Sequence, residues 1–130
     1  MKKLLFICLG ICIISLTSCD KMKDAKNVVT EFYNNQKSKD FNKSISLLSK
    51  STIEMYSEED IVNEFSRVLE VMGNLKSYKF VGFEMKTNDG KEYIKLNYTS
   101  EYENGKCTET FEMIKENDAY KINYWKWTKE

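Results

Sequence analysis

The chain has 130 residues, which is enough for one domain. Its 20 basic and 20 acidic side chains cancel, so it lacks the basic excess with which nucleic-acid-binding proteins displace counterions. Hydrophobic residues make up 42% of the chain and aromatic residues 13%, more apolar surface than a disordered chain carries. The composition therefore predicts one globular domain and excludes nucleic acid as a partner.

Residues 1–18 have the parts of a bacterial signal peptide in order. Lys2 and Lys3 form a positive start, and residues 4–16 are an almost unbroken apolar run. As a helix this run would span roughly 20 Å, less than the ~30 Å hydrocarbon core of a bilayer, so it predicts a cleaved signal and not a membrane span. An uncleaved anchor and an ordinary signal peptide are the alternatives.

Leu16-Thr17-Ser18-Cys19 resembles the lipobox of bacterial lipoproteins, in which the cysteine is diacylated and becomes the mature N-terminus. The resemblance implies lipidation of Cys19 with palmitate-type acyl chains and a location in the cell envelope, on the exported side of a membrane. Asp20 resembles an inner-membrane retention signal of enteric bacteria, but the choice between inner and outer membrane stays open. Loss of Lys2 and Lys3 would leave a net charge near −2.

Cleavage before Cys19 would divide the chain into three parts. Residues 1–18 are the signal peptide, residues 19–23 are the lipidated cysteine with a short tether, and residues 24–130 are the domain. Five extended residues reach only about 17 Å, so the domain would stay close to the bilayer. Cys8 and Cys12 leave with the signal. Cys107 then has no disulfide partner and is predicted to be a small buried side chain.

The first half of the domain has the periodicity of three amphipathic helices. We expect Asp24, Asp40 and Ser57 to cap their N-termini and Gly73 to end the third. The apolar stripes are predicted to cover a sheet; docking faces are the alternative. Their inward residues are Ala25, Val28, Val29, Phe32 and Gln36; then Phe41, Ile45 and Leu48; then Ile61, Phe65, Val68, Leu69 and Met72.

From Leu75 the period changes to two, which predicts four antiparallel strands joined by tight turns. The turns are 88–90, 103–105 and 116–118. The first strand has apolar residues on both faces, which indicates a central or strongly bent strand with Gly82 at a bend or bulge. Glu109 is a polar exception on the apolar face of the third strand. On the last strand we expect Tyr120, Ile122 and Tyr124 on one face and Trp125 and Trp127 on the other.

Helices followed by a meander predict an α+β fold, with three N-terminal helices packed on a curved four-stranded antiparallel sheet. Residues 24–128 resemble the nuclear-transport-factor-2-like superfamily, a cone-shaped fold that includes ketosteroid isomerase and scytalone dehydratase. They are also similar to small lipoproteins whose domains have no assigned function. The residues that carry the resemblance are Phe32-Tyr33, Lys39-Asp40-Phe41, Ile45, Leu47-Leu48 and the closing Ala119-Tyr120-Lys121-Ile122.

The chain has no histidine, which excludes Ser-His-Asp and Cys-His catalysis and histidine metal sites. No glycine-rich phosphate loop or cysteine pair is present either, so no metal and no cofactor is expected. Enzymes of the resembled superfamily use an acidic base and a tyrosine in the cone. The position just after the second helix, where they carry the acid, holds Glu54, which without an apolar pocket would be an ordinary surface charge.

Aromatic side chains are the remaining indication of function. Tyr33, Tyr98, Tyr102, Phe111 and Trp125 could line a cone and bind a small apolar ligand, or they could fill the core and close it. The run Tyr124-Trp125-Lys126-Trp127 could touch lipid headgroups or belong to a strand packed on both sides.

The leading hypothesis is a membrane-anchored, non-enzymatic module that binds a ligand or an envelope protein, with no buried acid pair. The alternative is a carboxylate/tyrosine isomerase or dehydratase, with a buried acid near a tyrosine. A stress or immunity-type lipoprotein acting by protein contact is a third hypothesis, for which an exposed apolar patch would be the sign. A homodimer stays open in all three.

Overall fold

The computed structural model describes the backbone of residues 2–130 and the side chains of residues 20–130. The side chains of the predicted signal peptide, residues 1–18, and of the predicted lipidation site Cys19 lie outside the residues whose side chains are described. Helix α1 (Lys2–Ser38) continues through residues 20–24, so Asp24 lies inside a helix and the prediction that it caps one is wrong. No glycine or proline interrupts this stretch, and Met22 packs against the core, which favours an unbroken helix over an extended tether.

Three short or medium helices follow α1. They are α2 (Phe41–Ile45), α3 (Lys50–Met55) and α4 (Glu58–Met72). The caps predicted at Asp40 and Ser57 are confirmed, since each side chain accepts a hydrogen bond from the backbone three residues on. Helix α3 was not predicted, because it is one and a half turns long and has no fully buried residue to give it an apolar period. Among the described helices, none is long and apolar enough to cross a membrane.

Four antiparallel strands form one sheet in the order β1-β2-β3-β4. They are β1 (Leu75–Asn88), β2 (Lys91–Tyr102), β3 (Gly105–Glu116) and β4 (Ala119–Lys129). The predicted α+β fold and its meander are thereby confirmed, including all three turns. Strand β1 lies at the edge of the sheet and not at its centre.

Two of the three register shifts in the sheet decide which aromatic side chains of β1 and β4 face the helices. In β1 the pairing with β2 shifts between Phe80 and Gly82, at the site where the sequence predicted a bend. An extra residue reverses the alternation, so Phe80 pairs with the buried Tyr98 and Phe83 pairs with the buried Leu96. These four side chains therefore face the same side of the sheet.

The second bulge lies in β4, where the pairing shifts between Glu112 and Met113 of β3. Ile122 pairs with Met113 before the bulge, and Trp125 pairs with Phe111 after it. Directly paired residues share a face, so Trp125 lies on the helix side together with Ile122. The prediction that the tryptophans lie opposite Ile122 is wrong because a strict two-residue alternation cannot show a bulge.

The core lies between the helices and the inner face of the sheet. Phe32 and Tyr33 of α1, Phe65 of α4 and Phe111 of β3 are buried. Their rings contact one another mostly edge to face, with centroids 5.3–5.8 Å apart. Such pairs stabilise a core beyond the area they bury.

Candidate functional site

A carboxylate is enclosed in the aromatic core. Glu109 of β3 has no solvent-exposed surface. Tyr33 and Tyr102 donate their hydroxyl hydrogens to its Oε2 over 2.9 and 3.1 Å, and Trp125 donates from Nε1 to its Oε1 over 3.0 Å. One buried acid thus has three aromatic donors, contributed by α1, β2 and β4.

Burial changes the protonation of this cluster. It raises the pKa of Glu109, and hydrogen bonds from neighbours including Tyr33, Trp125 and Tyr102 oppose the rise. Burial and the nearby Glu109 carboxylate raise the pKa of both tyrosines, so they remain donors at neutral pH. In the described part of the chain, no cation forms an ion pair with Glu109. An unpaired buried carboxylate is costly, and proton uptake relieves that cost.

The strand pattern places Glu109 where it is. On β3 the buried residues alternate, and Cys107, Glu109, Phe111 and Met113 all face inward. The sequence showed Glu109 as a polar exception on the apolar face but gave no reason to assign it a site. The signal was present in the alternation, whereas the partners come from distant elements and could not be paired without the fold.

The five aromatic residues predicted to line a pocket divide into two groups. Tyr33, Tyr98, Tyr102 and Phe111 are buried in the core, and none of these four lines the cavity described next. Trp125 is partly exposed and does line it. Binding of a ligand by these five residues stays a prediction.

A cavity of about 380 Å³ lies between α3, α4 and β4. Its apolar walls come from Leu48, Ile61, Phe65, Ile122 and Trp125. Polar groups stand among them and at the mouth: Thr52, Tyr56, Asp60, Glu64, Asn123 and Tyr124. An apolar pocket of this size with a few polar groups is typical of small-ligand sites.

Trp125 belongs to both the cavity and the buried cluster. Its ring lines the cavity, and its Nε1 donates to Glu109. A ligand in the cavity would therefore contact the indole that holds the carboxylate.

The charged groups that line the cavity are both acidic. Glu64 is already engaged, because its Oε1 accepts from Trp127 Nε1 at 3.0 Å and its Oε2 accepts from Arg67 at 3.3 Å. Asp60 lies in the first turn of α4 and is exposed. Among the described side chains, none donates a hydrogen bond to its carboxylate, so Asp60 is open to a ligand. No lysine or arginine lines the cavity.

Two other residues from the sequence analysis lie away from both features. Glu54 is on an exposed face of α3, where its side chain is 67% exposed and 3.9 Å from Lys50. Cys107 is fully buried, as predicted, and burial raises the pKa of its thiol to about 11. A neutral buried thiol is a poor nucleophile. The sequence did not indicate Tyr56 or Asp60 as cavity residues and considered Tyr124 only for lipid contact, because these are ordinary surface residues until α3, α4 and β4 come together.

No family model matches the chain, and no curated protein matches it. Among solved structures, that of Bd1075 from Bdellovibrio bacteriovorus is similar to this chain, with a TM-score of 0.56 and 13% identity. The match covers 83% of this chain and 40% of that protein, so the chain spans well under half of its neighbour's length. At this identity the similarity shows the fold alone: an α+β domain with helices followed by a four-stranded antiparallel meander.

Proposed function

We propose that the chain is a cell-envelope lipoprotein, anchored to a membrane through acyl chains on Cys19, whose domain is a non-enzymatic module for a small ligand. The observation that carries ligand binding is the cavity between α3, α4 and β4, with its apolar walls and open mouth. The observation that supports the anchor is the resemblance of Leu16-Thr17-Ser18-Cys19 to a lipobox. Membership of the nuclear-transport-factor-2-like superfamily is part of the proposal and is supported by the order of elements.

The lining indicates the chemical class of the ligand. Apolar walls favour a ring or short hydrocarbon body, and Asp60 at the mouth favours a positively charged group. Tyr56, Tyr124 and Trp125 add aromatic faces, which attract organic cations. The ligand that fits is therefore a small amine or quaternary ammonium compound with an apolar body.

The first experiment is native mass spectrometry of the protein extracted in mild detergent from its own membranes. A mass increase on the N-terminal peptide corresponding to acylated Cys19 supports the anchor. A co-purified small molecule supports the cavity as a binding site. An unmodified N-terminus contradicts the anchor, and an apo protein that also binds no organic cation contradicts the ligand site.

Removal of the Asp60 charge tests the ligand class. Asp60→Asn should weaken binding of benzyltrimethylammonium several-fold, because a partly exposed charge pair contributes up to about 1 kcal/mol. Binding of the neutral isostere neopentylbenzene should not change. Tryptophan fluorescence provides the readout, because Trp125 lies in the cavity wall.

The matched control is Glu59→Gln. Glu59 lies in the same first turn of α4 and is exposed, but it does not line the cavity. It therefore has a similar effect on the helix N-terminus without contacting a ligand. Equal losses in the two variants would show a general charge effect and contradict the assignment of Asp60.

An isomerase or dehydratase is the second candidate, favoured by the contacts of Glu109 with Tyr33 and Tyr102. A buried acid beside tyrosines is what that alternative predicted. Binding remains the stronger proposal because Glu109 has no exposed surface and Trp125 occupies one of its oxygens. A ligand recovered unchanged after long incubation supports binding, whereas its conversion supports the enzyme.

A further inference from the structure

A second apolar surface lies at the opposite edge of the sheet from the cavity, where α1 runs beside β1. It is a shallow groove whose lining includes Met22, Lys23 and Lys26 of α1 and Phe83 and Met85 of β1. We call it the α1/β1 groove. Phe83 and Met85 are 51% and 48% exposed, which is unusual for adjacent large apolar side chains on the inner side of a sheet. Such clustered exposure indicates an interaction surface.

The bulge in β1 creates this exposure. It turns Phe83 and Met85 toward the helix side, where they pair with the buried Leu96 and Ile94. At this end of the strand α1 covers the two side chains only in part, so about half of each stays exposed. Without the bulge they would face the outer side of the sheet.

The charged groups of the groove are both basic. Lys23 and Lys26 line it, and no acidic side chain does so in the described part of the chain. Lys26 also lies over the ring of Phe80, 4.2 Å from its centroid. Lys21 of α1 forms an ion pair with Glu92 of β2 at 3.5 Å, which connects this part of the helix to the sheet. Apolar side chains flanked by lysines match the surface of an anionic bilayer.

The groove also lies next to the proposed anchor. Met22 follows Cys19 by three residues of α1, about 4.5 Å along the helix axis. Because residues 20–23 are helical and not an extended tether, they allow little separation between lipid and domain. The run Tyr124–Trp127, also considered for lipid contact, lies on β4 at the opposite edge of the sheet.

From these observations we infer that the α1/β1 groove docks on the anionic lipid bilayer that holds the anchor. Phe83, Met85 and Met22 enter the interfacial region, and Lys23 and Lys26 contact the headgroups. The inference rests on the proposed lipidation of Cys19. It adds an orientation: the α1/β1 edge faces the membrane, and the cavity on the β4 side faces away from it.

The test uses the lipidated protein reconstituted in vesicles of phosphatidylcholine and phosphatidylglycerol. A spin label at Met85→Cys should be several-fold more accessible to oxygen, and less accessible to a water-soluble nickel chelate, than a label at Tyr124→Cys. Cys107 is fully buried and should not take the label. Tyr124 is the matched site, because it is exposed to a similar degree on the opposite edge.

The double variant Lys23→Glu with Lys26→Glu should make the label at position 85 accessible to the nickel chelate. The accessibility of the label at position 124 should not change. Equal water accessibility at the two positions in lipidated protein overturns the docking inference while the anchor stands. If the mass shows no lipid on Cys19, the proposed anchor is contradicted, and flotation of the same chain with these vesicles tests the groove separately. Salt-sensitive flotation supports docking of the α1/β1 groove, and no flotation overturns it.

Discussion

At the residue scale, Glu109 is the group whose environment departs most from the ordinary. A glutamate on a strand usually faces water, yet this one has no exposed surface and three aromatic hydrogen-bond donors. The donors hold the carboxyl group in place, and burial favours its neutral form. The cluster therefore connects α1, β2, β3 and β4 through one protonatable group.

The raised pKa of Glu109 makes stability depend on pH. Between the ordinary pKa of a glutamate and the raised pKa in the fold, the native protein holds a proton that the unfolded chain has lost. The free energy of unfolding therefore falls as pH rises through this window, by at most about 1.4 kcal/mol per pH unit. Glu109→Gln should remove this part of the slope, as measured by urea unfolding at a series of pH values above the ordinary pKa of a glutamate.

Glu101→Gln is the control, since Glu101 is exposed on the neighbouring strand β2. It should keep the slope of the unmodified protein. The readout is the slope and not the absolute stability, because a buried glutamine changes hydrogen bonds as well as charge. A Glu109→Gln variant with the full slope would contradict proton uptake at this site.

At the scale of elements, the sequence predicted what local rules control. Turn residues and helix caps were located correctly at Asp40, Ser57, Gly73 and the three turns, because each depends on a few neighbours in the chain. The bulge in β4 and helix α3 were missed. Both depend on pairing with distant residues: Ser49, which caps α3, donates its backbone hydrogen to the carbonyl of Ile122 on β4.

Gly73 and Gly82 separate two uses of glycine. Gly73 ends α4 at φ +79°, and a Cβ there would lie 2.8 Å from Cβ of Glu103. Gly82 has no positive φ, and an added Cβ would meet nothing within 4 Å. Gly73→Ala should lower the free energy of unfolding by about 1–3 kcal/mol, whereas Gly82→Ala should leave it unchanged or raise it by up to about 1 kcal/mol. Urea unfolding of both variants measures this difference, and equal effects would contradict it.

At the scale of the whole molecule, composition and periodicity were sufficient for the fold class but not for the site. The core aromatics were all apparent in the sequence, and the choice between core and pocket was left open. The fold shows four of the five packed in the core, and the cavity lies at the border of that core, between the helices and β4. Which aromatics stay accessible depends on how far each helix extends over the sheet, and no local pattern contains that information.

Phe32 connects the layers of the molecule. Its ring contacts Phe65 of α4, Phe111 of β3 and Trp125 of β4 with centroids 5.2–5.4 Å apart, and it is fully buried. Phe32→Ala should lower the free energy of unfolding by about 3–5 kcal/mol. If helices and sheet share one core, far-ultraviolet circular dichroism and tryptophan fluorescence should shift together to lower urea.

Phe83→Ala is the matched control, because the same side chain is removed from a half-exposed site on β1. Phe83→Ala should lower the free energy of unfolding by less than about 1 kcal/mol. If Phe32→Ala fails to fold, Phe32→Leu replaces it in the comparison. Its free energy of unfolding should fall by less than about 1.5 kcal/mol. Separate transitions for dichroism and fluorescence in either variant would mean that the helical layer unfolds without the sheet. Loss of that layer would open the cavity and also remove Tyr33 of α1 from the Glu109 cluster. A joint transition would mean that α4 and β4, which form most of the cavity wall, are held by the same core.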